Sequence, residues 1–315
     1  MKVILTETKG LSHEEWLRFR QKGIGGSDAG AVCGLNRYKS AVDVWADKTG
    51  DSPIEIPDSE AMRIGRDMED YVARRFTEAT GKKVRRKNAI FQDQEHPFML
   101  ANVDRMVVGE NALLECKTTS PYNADQWKDG KCPESYEIQC HHYMSVTGAE
   151  KVYLACLIMG REFVIVEIER NDALIDYLRK IETDFWNKYV LTKEMPPPDG
   201  SKAAGDAIQQ MYPSSVDMTV EIVGFEDRLN RYDEISALID SLTRELDEIK
   251  QQIQVEMKTA EIAYIGTRKV TWKNTKPRET IDSKKLKAEM PDIYQRYLKV
   301  GNPSRRFVIS KKQEE

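Results

Sequence analysis

The feature that most constrains this chain is a short apolar stretch, Leu113-Leu-Glu-Cys-Lys117, that carries an acid and a lysine separated by one residue. Such a run reads as a half-buried β-strand. Side chains on a strand alternate faces, so Glu115 and Lys117 project from one side and Cys116 from the other. The preceding apolar stretch holds Asn102-Val-Asp-Arg105, and Gly109-Glu-Asn111 between the two supplies a hairpin turn that sets Asp104 beside Glu115. Two facing carboxylates repel unless a cation lies between them. The pattern therefore predicts a Mg²⁺ site on Asp104, Glu115 and the backbone carbonyl of Cys116. Lys117 would hold a water in line or neutralise charge building on a phosphate. The plain alternative for the same spacing is a cross-strand salt bridge of Lys117 with Asp104 or Glu115 on a solvent-facing side.

Neighbouring segments add to the pattern. Glu69, in Gly65-Arg-Asp-Met-Glu69, falls on a helix just before the strands and could supply a further carboxylate. Downstream, Gln139 and Tyr143 lie at i and i+4 of another helix and so share one face. His141 and His142 on that helix point about 100° apart, so one is expected to face the core or the groove and the other solvent.

The rest of the chain frames this centre. Ser12-His-Glu-Glu15 reads as a capping box opening a helix through about Lys22. Ser27-Asp28, after the turn Gly23-Ile-Gly-Gly26, caps a short helix ending near Gly34, and Ser40 caps a third ending at Gly50. A proline-containing loop over 51–58 leads into a helix from Ser59 to Thr80, closed by Gly81. Residues 83–92, 98–108 and 112–119 are β-rich. A helix over 133–147, strands over 151–159 and 162–168, and a helix from about 172 to 190 complete an α/β (α+β) unit with a mixed central sheet flanked by helices. Pro196-Pro-Pro-Asp-Gly200 marks a boundary, giving a first domain over 1–190, a linker over 191–220 and a mainly helical extension over 221–315. In the extension, Leu229, Tyr232, Ser236, Ile239, Leu242, Leu246, Ile249 and Ile253 predict a long amphipathic helix over 225–258 with a seam suited to a helical partner. A hairpin over 262–273 turning at Gly266 and short helices over 282–298 follow.

Composition sets limits. No run approaches 18 consecutive apolar residues, so no membrane span is expected, and the N-terminus MKVILTETKG is too short and polar for a secretory signal. Five cysteines without a C-x-x-C pair favour reduced thiols in a cytoplasm over a disulfide framework or a zinc site. The net charge of −4 is unusual for a DNA binder, but Lys82-Lys-Val-Arg-Arg-Lys87, Arg74 and Arg75, and Arg305, Arg306, Lys311 and Lys312 form local basic clusters.

At these residues the sequence resembles the YqaJ viral recombinase family, lambda-exonuclease-like members of the PD-(D/E)XK nuclease superfamily with a restriction-endonuclease-like core. The resemblance covers roughly residues 14–170. It is carried by Gly23-Ile-Gly-Gly-Ser-Asp28, Leu35-Asn-Arg-Tyr-Lys39, Trp45 to Gly50, Gly65 to Glu69, Asn102-Val-Asp104, Glu115-Cys-Lys-Thr-Thr119 and Tyr136 to Tyr143. It implies a Mg²⁺-dependent exonuclease, with Mn²⁺ as a substitute and two ions per site, that degrades one strand of linear duplex DNA from its 5′ end. The 3′ overhang would pass to a single-strand annealing protein in a bacterial host carrying a phage or prophage. A homo-oligomer, with a ring-shaped trimer as the precedent, is also implied. By the same resemblance Asp104, Glu115 and Glu69 are metal ligands, Lys117 is the water-positioning base, and Gln139 and Tyr143 touch the scissile strand. Arg20 and Ser27 would hold the 5′-phosphate, Arg20 by bidentate contact and Ser27 at a helix start that attracts anions. Asn102 stands where the family pocket has a serine, and one extra residue separates Arg20 from the glycine turn. A phage-type endonuclease or repair nuclease of the same fold, and a DNA-binding assembly protein that has lost the chemistry, are the alternatives.

Overall fold

The structure, a computed structural model, describes residues 2–52, 58–301 and 305–310. Residues 53–57 of the proline-containing loop, and Lys311 and Lys312 of the C-terminal basic cluster, lie outside these. The chain divides into two compact units, Met1–Pro213 and Ser214–Glu315.

The first unit is built on a five-stranded sheet ordered β2-β5-β6-β7-β8: β2 (Val84–Arg86), β5 (Arg105–Val107), β6 (Ala112–Thr119), β7 (Lys151–Ile158) and β8 (Glu162–Glu169). Only β6 and β7 run parallel, joined by a crossover containing α5 (Glu134–Thr147); the other neighbours are antiparallel. Helix α4 (Glu60–Thr80) packs on one face through Val72 and Phe76 against Leu114 and Tyr153. On the other face Cys140 and Met144 of α5 pack with Leu113, Leu154 and Ile158. Successive residues of β6 thus feed different cores, as the two-residue period demands. Ser59 caps α4, and Gly81 ends it at φ 72°, a left-handed conformation that glycine adopts without a Cβ penalty.

A second, three-stranded sheet ordered β1-β3-β4 is made by β1 (Lys2–Glu7), β3 (Ala89–Asp93) and β4 (Leu100–Ala101). Hydrophobic spacing alone predicts neither the N-terminal strand nor this sheet. The stretches 83–92 and 98–108 are β-rich as expected, but each is broken and passes from one sheet to the other, at Lys87-Asn88 and at Asn102–Asp104.

Around this frame lie α1 (His13–Gln21), with the Ser12/Glu15 capping box formed, α2 (Gly26–Val32), α3 (Ala41–Thr49) and α6 (Asp172–Phe185), which runs into one π-helical turn through Val190. The cap of helix α2 lies two residues earlier than expected: Gly25, not Ser27, is its N-cap, and the Asp28 carboxylate accepts the Gly25 N–H at 3.0 Å. Residues 202–211, read as linker, form α7 (Lys202–Met211), whose Ala204 and Ala207 bury against Val42 of α3. The compact unit therefore extends to Pro213 rather than ending at residue 190. Alanine and glycine are poor landmarks for an amphipathic face, which is why this helix escapes a reading by hydrophobic spacing.

The second unit contains α8 (Glu226–Met257), the antiparallel hairpin β9 (Ile262–Ile265) and β10 (Arg268–Thr271) turning at Gly266, and the short helices α9 (Ser283–Glu289) and α10 (Pro291–Tyr297). Among the described residues no helix is long and apolar enough to cross a membrane.

Candidate active site

Register fixes the heart of the site. Arg105 pairs with Leu114 across β5–β6, so the preceding residue, Asp104, falls opposite Glu115. Asp104 stands at the break where the chain changes sheets, and its Oδ2 accepts the Cys116 N–H at 2.8 Å in place of a ladder hydrogen bond. Glu115 and Lys117 share the face of β6 that looks at α5. There Lys117 Nζ donates to Glu115 Oε1 at 2.7 Å and to Gln139 Oε1 at 3.0 Å. Gln139 Nε2 donates to the same Glu115 oxygen at 2.7 Å and to the Tyr143 hydroxyl at 3.0 Å. Lys117 also sits 4.6 Å above the Tyr136 ring, a cation–π contact. Asp104, Glu115, Lys117, Gln139 and Tyr143 are therefore gathered in one place. The Lys117–Glu115 salt bridge forms, but not on a solvent-facing side: Glu115 is buried, Lys117 is half-buried, and both contact Gln139.

The electrostatics are strained in one direction. Burial, then the Glu115 and Glu69 carboxylates, push the Asp104 carboxyl well above its ordinary range, against the pull of the Cys116 N–H and Lys117. Burial disfavours the Lys117 cation, but Glu115 more than reverses this and holds it protonated. Burial and then the two carboxylates likewise raise the Tyr143 phenol. Among the described residues no three acidic, cysteine or histidine side chains are close enough to enclose a metal ion by themselves. Glu69, near enough to perturb Asp104, is held instead by Arg105. This buried guanidinium donates to Glu69 Oε1 and, at 2.6 Å, to Asp70 Oδ1, and Arg86 meets Asp70 at 2.8 Å. Nothing local in Val-Asp-Arg betrays this clamp, because its partners lie 35 and 36 residues away. The same contacts occupy part of the basic run: Arg86 serves Asp70, and Lys82 pairs with Glu110.

A cavity of about 210 Å³ adjoins this centre, walled by Arg20, Ser27, Asn102, Trp16, Gln139 and Tyr143 among others. Arg20 Nη2 donates to Ser27 Oγ at 3.0 Å and its guanidinium lies 4.8 Å from the Trp16 ring, while Trp16 Nε1 donates to Asn102 Oδ1 at 3.4 Å. Arg20, Ser27 and Asn102, distant in sequence, thus line one hole. Asp28, fully buried behind it, fixes the wall. Burial alone would raise its carboxyl, but Lys39 and Lys48, at 2.7 and 3.1 Å, and then Arg20 hold it well below the usual range. Lys48 also donates to the Arg20 carbonyl at 3.0 Å, tying the end of α1 to the start of α2. A charged residue inside the small-residue run Gly-Gly-Ser-Asp-Ala-Gly was the available signal for Asp28.

The glycine turn has a steric reason. A Cβ on Gly26 would stand 2.5 Å from Tyr143 Cε1 and 2.9 Å from Gln139 Cγ. Gly26→Ala is therefore expected to push both site residues aside. Its stability cost should be about 1–3 kcal/mol, the usual range for overpacking, read from urea denaturation. An unchanged denaturation midpoint would show that α2 and α5 can separate freely.

The two histidines depart from expectation, since both are buried. His141 Nδ1 meets the Glu137 carbonyl at 3.0 Å, while His142 bridges Glu182 Oε1 and the Leu100 carbonyl, each at 2.9 Å. Helix α5 is enclosed by both sheets and by α2 and α6, which leaves neither imidazole a solvent-facing side.

Comparisons with known proteins agree with this architecture. A family model described as the YqaJ-like viral recombinase domain matches residues 15–150. The YqaJ protein of Bacillus subtilis (strain 168) is 44% identical over 313 residues, spanning 97% of this chain and 97% of that protein. Among solved structures, an alkaline exonuclease (LHK-Exo) from Laribacter hongkongensis superposes with a TM-score of 0.50 at 22% identity, over 57% of this chain and 94% of that one. The same exonuclease in complex with dAMP gives a TM-score of 0.50 at 20% identity, over 64% and 98%. At such identities the likeness is one of fold.

Proposed function

The chain belongs to the YqaJ-like viral recombinase family, and from that premise we propose that it is a divalent-metal-dependent DNA nuclease. In this reading it resects linear duplex from the 5′ end and leaves a 3′ overhang for a single-strand annealing protein. The observation that carries the reading is Asp104, a half-buried carboxyl crowded by two others and raised well above its ordinary range. A cation between Asp104 and Glu115 would relieve that repulsion without removing the charge.

The donor set fits Mg²⁺ or Mn²⁺. Two carboxylates and the Cys116 carbonyl are all hard oxygen ligands, and Mg²⁺ commonly takes one or two carboxylates and keeps several waters. Such an ion would neutralise phosphate charge and make a water more acidic. Lys117, fixed by Glu115 and Gln139, orients that water or meets charge developing on the phosphate. Gln139 and Tyr143 position the scissile strand, and Glu69 can join a second ion only by exchanging its Arg105 partner. Arg20, Ser27 and Asn102 receive the terminal 5′-phosphate, the guanidinium offering a bidentate contact. The small cavity favours an end over an internal bond, since it suits one phosphate group and not a duplex. The fold shared with an alkaline exonuclease crystallised with dAMP supports the same choice.

The test is digestion of linear duplex labelled separately at its 5′ and 3′ ends, with and without 5′-phosphate, beside a closed circular duplex. Loss of the 5′ label first, with circles intact, is the expected result; nicked circles would make the protein an endonuclease. Mg²⁺ or Mn²⁺ should support cutting, and Ca²⁺ binding alone, because it tolerates the site but activates water poorly. Rapid cleavage in excess EDTA would contradict the metal assignment. Arg20→Ala is expected to cut the preference for 5′-phosphorylated ends by about 10–100-fold, the worth of a charge-assisted hydrogen bond. An unchanged preference would place the phosphate pocket elsewhere.

A further inference from the structure

Helix α8 is 32 residues long, yet among the described residues no other element packs extensively along it. Most of its large apolar residues are not scattered. Tyr232, Ile235, Ile239, Leu242, Leu246, Ile249 and Ile253 follow one another at spacings of three, four, three, four, three and four. This is an unbroken a/d heptad pattern over roughly 32 Å of helix at 1.5 Å per residue. The first six of these side chains are between 42% and 57% exposed, so the seam faces solvent along most of its length. A continuous apolar stripe of this extent on one helix marks an interaction surface. The period of 3.5 residues selects the partner's shape, because only another helix can follow such a stripe by supercoiling.

The flanking charges select the partner. With Tyr232 at position a, Glu245 falls at g and Lys250 at e. In a parallel, in-register pair of copies, g of one helix faces the following e of the other, so Glu245 meets the partner's Lys250, and the remaining g–e pairs bring no like charges together. An antiparallel pair sets g against g and e against e, which separates Glu245 from Lys250. Among the described residues Lys250 pairs with an exposed residue, Asp247, at 2.8 Å within its own helix, a contact that costs little to exchange. We propose that α8 joins copies of this chain into a parallel, in-register coiled coil. The inference rests on this unit alone and stands whether or not the nuclease reading holds.

The test uses the full chain and single cysteines in α8, where none occurs naturally, the five native ones lying between residues 33 and 156. In a parallel assembly, identical d positions lie within disulfide reach of each other, whereas identical f positions point away. Leu242→Cys and Ile249→Cys should therefore both yield disulfide-linked dimers on mild oxidation, at least about fivefold more than Arg244→Cys at f. Non-reducing gels read the yield, with wild type as the baseline. Cross-linking at only one of the two d positions would indicate an antiparallel or shifted pairing and overturn the proposal. Equal yields at 242 and 244, or none at either d position, would overturn it as well, leaving α8 for a different partner. Cysteine at these exposed positions does not threaten folding, and circular dichroism confirms the helix in each variant.

Discussion

Asp104→Asn is expected to reduce digestion of linear duplex by about 10³-fold, equivalent to about 4 kcal/mol of transition-state stabilisation, the scale of a metal-centred contribution. The substitution keeps the side chain's shape and can still accept the Cys116 N–H, so the break between sheets should survive. What it removes is the negative charge. In EDTA the variant should be at least as stable as wild type, because the carboxyl it replaces is disfavoured by burial and by Glu115 and Glu69. An acid whose folded pKa is raised opposes folding at pH values above that pKa, and the amide abolishes this cost. Activity and stability should therefore move in opposite directions, with activity read on end-labelled duplex and stability by urea denaturation. Persistent digestion by the variant would break the site assignment, and a large loss of stability would mean that Asp104 is structural.

His142→Ala should destabilise the first unit by about 3–5 kcal/mol, the cost of leaving a buried charge without its partner. His142 and Glu182 are both fully inaccessible, and Glu182 Oε2 has no further hydrogen-bond partner among the described residues, so the carboxylate depends on this imidazole. Replacing both residues, as His142→Leu with Glu182→Met, should recover most of the loss, because apolar groups of similar volume need no compensation. Burial lowers the histidine pKa, but the Glu182 carboxylate and the Leu100 carbonyl more than reverse this and raise it above 6.5. A histidine raised in the folded state contributes stability that is complete below about pH 6.5 and is lost as pH rises through the folded value. The advantage of wild type over the double variant should therefore shrink across that rise. A difference independent of pH would mean that the imidazole is neutral in the fold.

Short-range periodicity carried much of this structure openly. Glu115 and Lys117 could be put on one face because strand side chains alternate, and Asp104 beside them because one glycine turn separates the two stretches. Gln139 and Tyr143 followed from helical spacing. What stayed hidden depends on contacts across long stretches of chain. Arg105 reaches back 35 and 36 residues to Asp70 and Glu69, and His142 forward 40 to Glu182. The N-terminal strand gives little sign of itself until β3 is known to pair with it. The division of 83–92 and 98–108 between two sheets is equally silent, because each half has ordinary β composition and only the partner differs. The pocket residues Arg20, Ser27 and Asn102 came from family resemblance, and their convergence needed the fold.

The switch from one sheet to the other at Asn102–Asp104 has a mechanical consequence. Within five residues of one strand path, the Leu100 carbonyl anchors the buried imidazole, Asn102 lines the small cavity, and Asp104 enters the carboxylate cluster. From Asn102 to Asp104 the backbone spans at most roughly 7 Å, and it is gripped at both ends. If a DNA end is held at the cavity, this strand serves as a caliper: the gap between the gripped end and the severed bond is dictated by protein geometry, whatever bases pass through it.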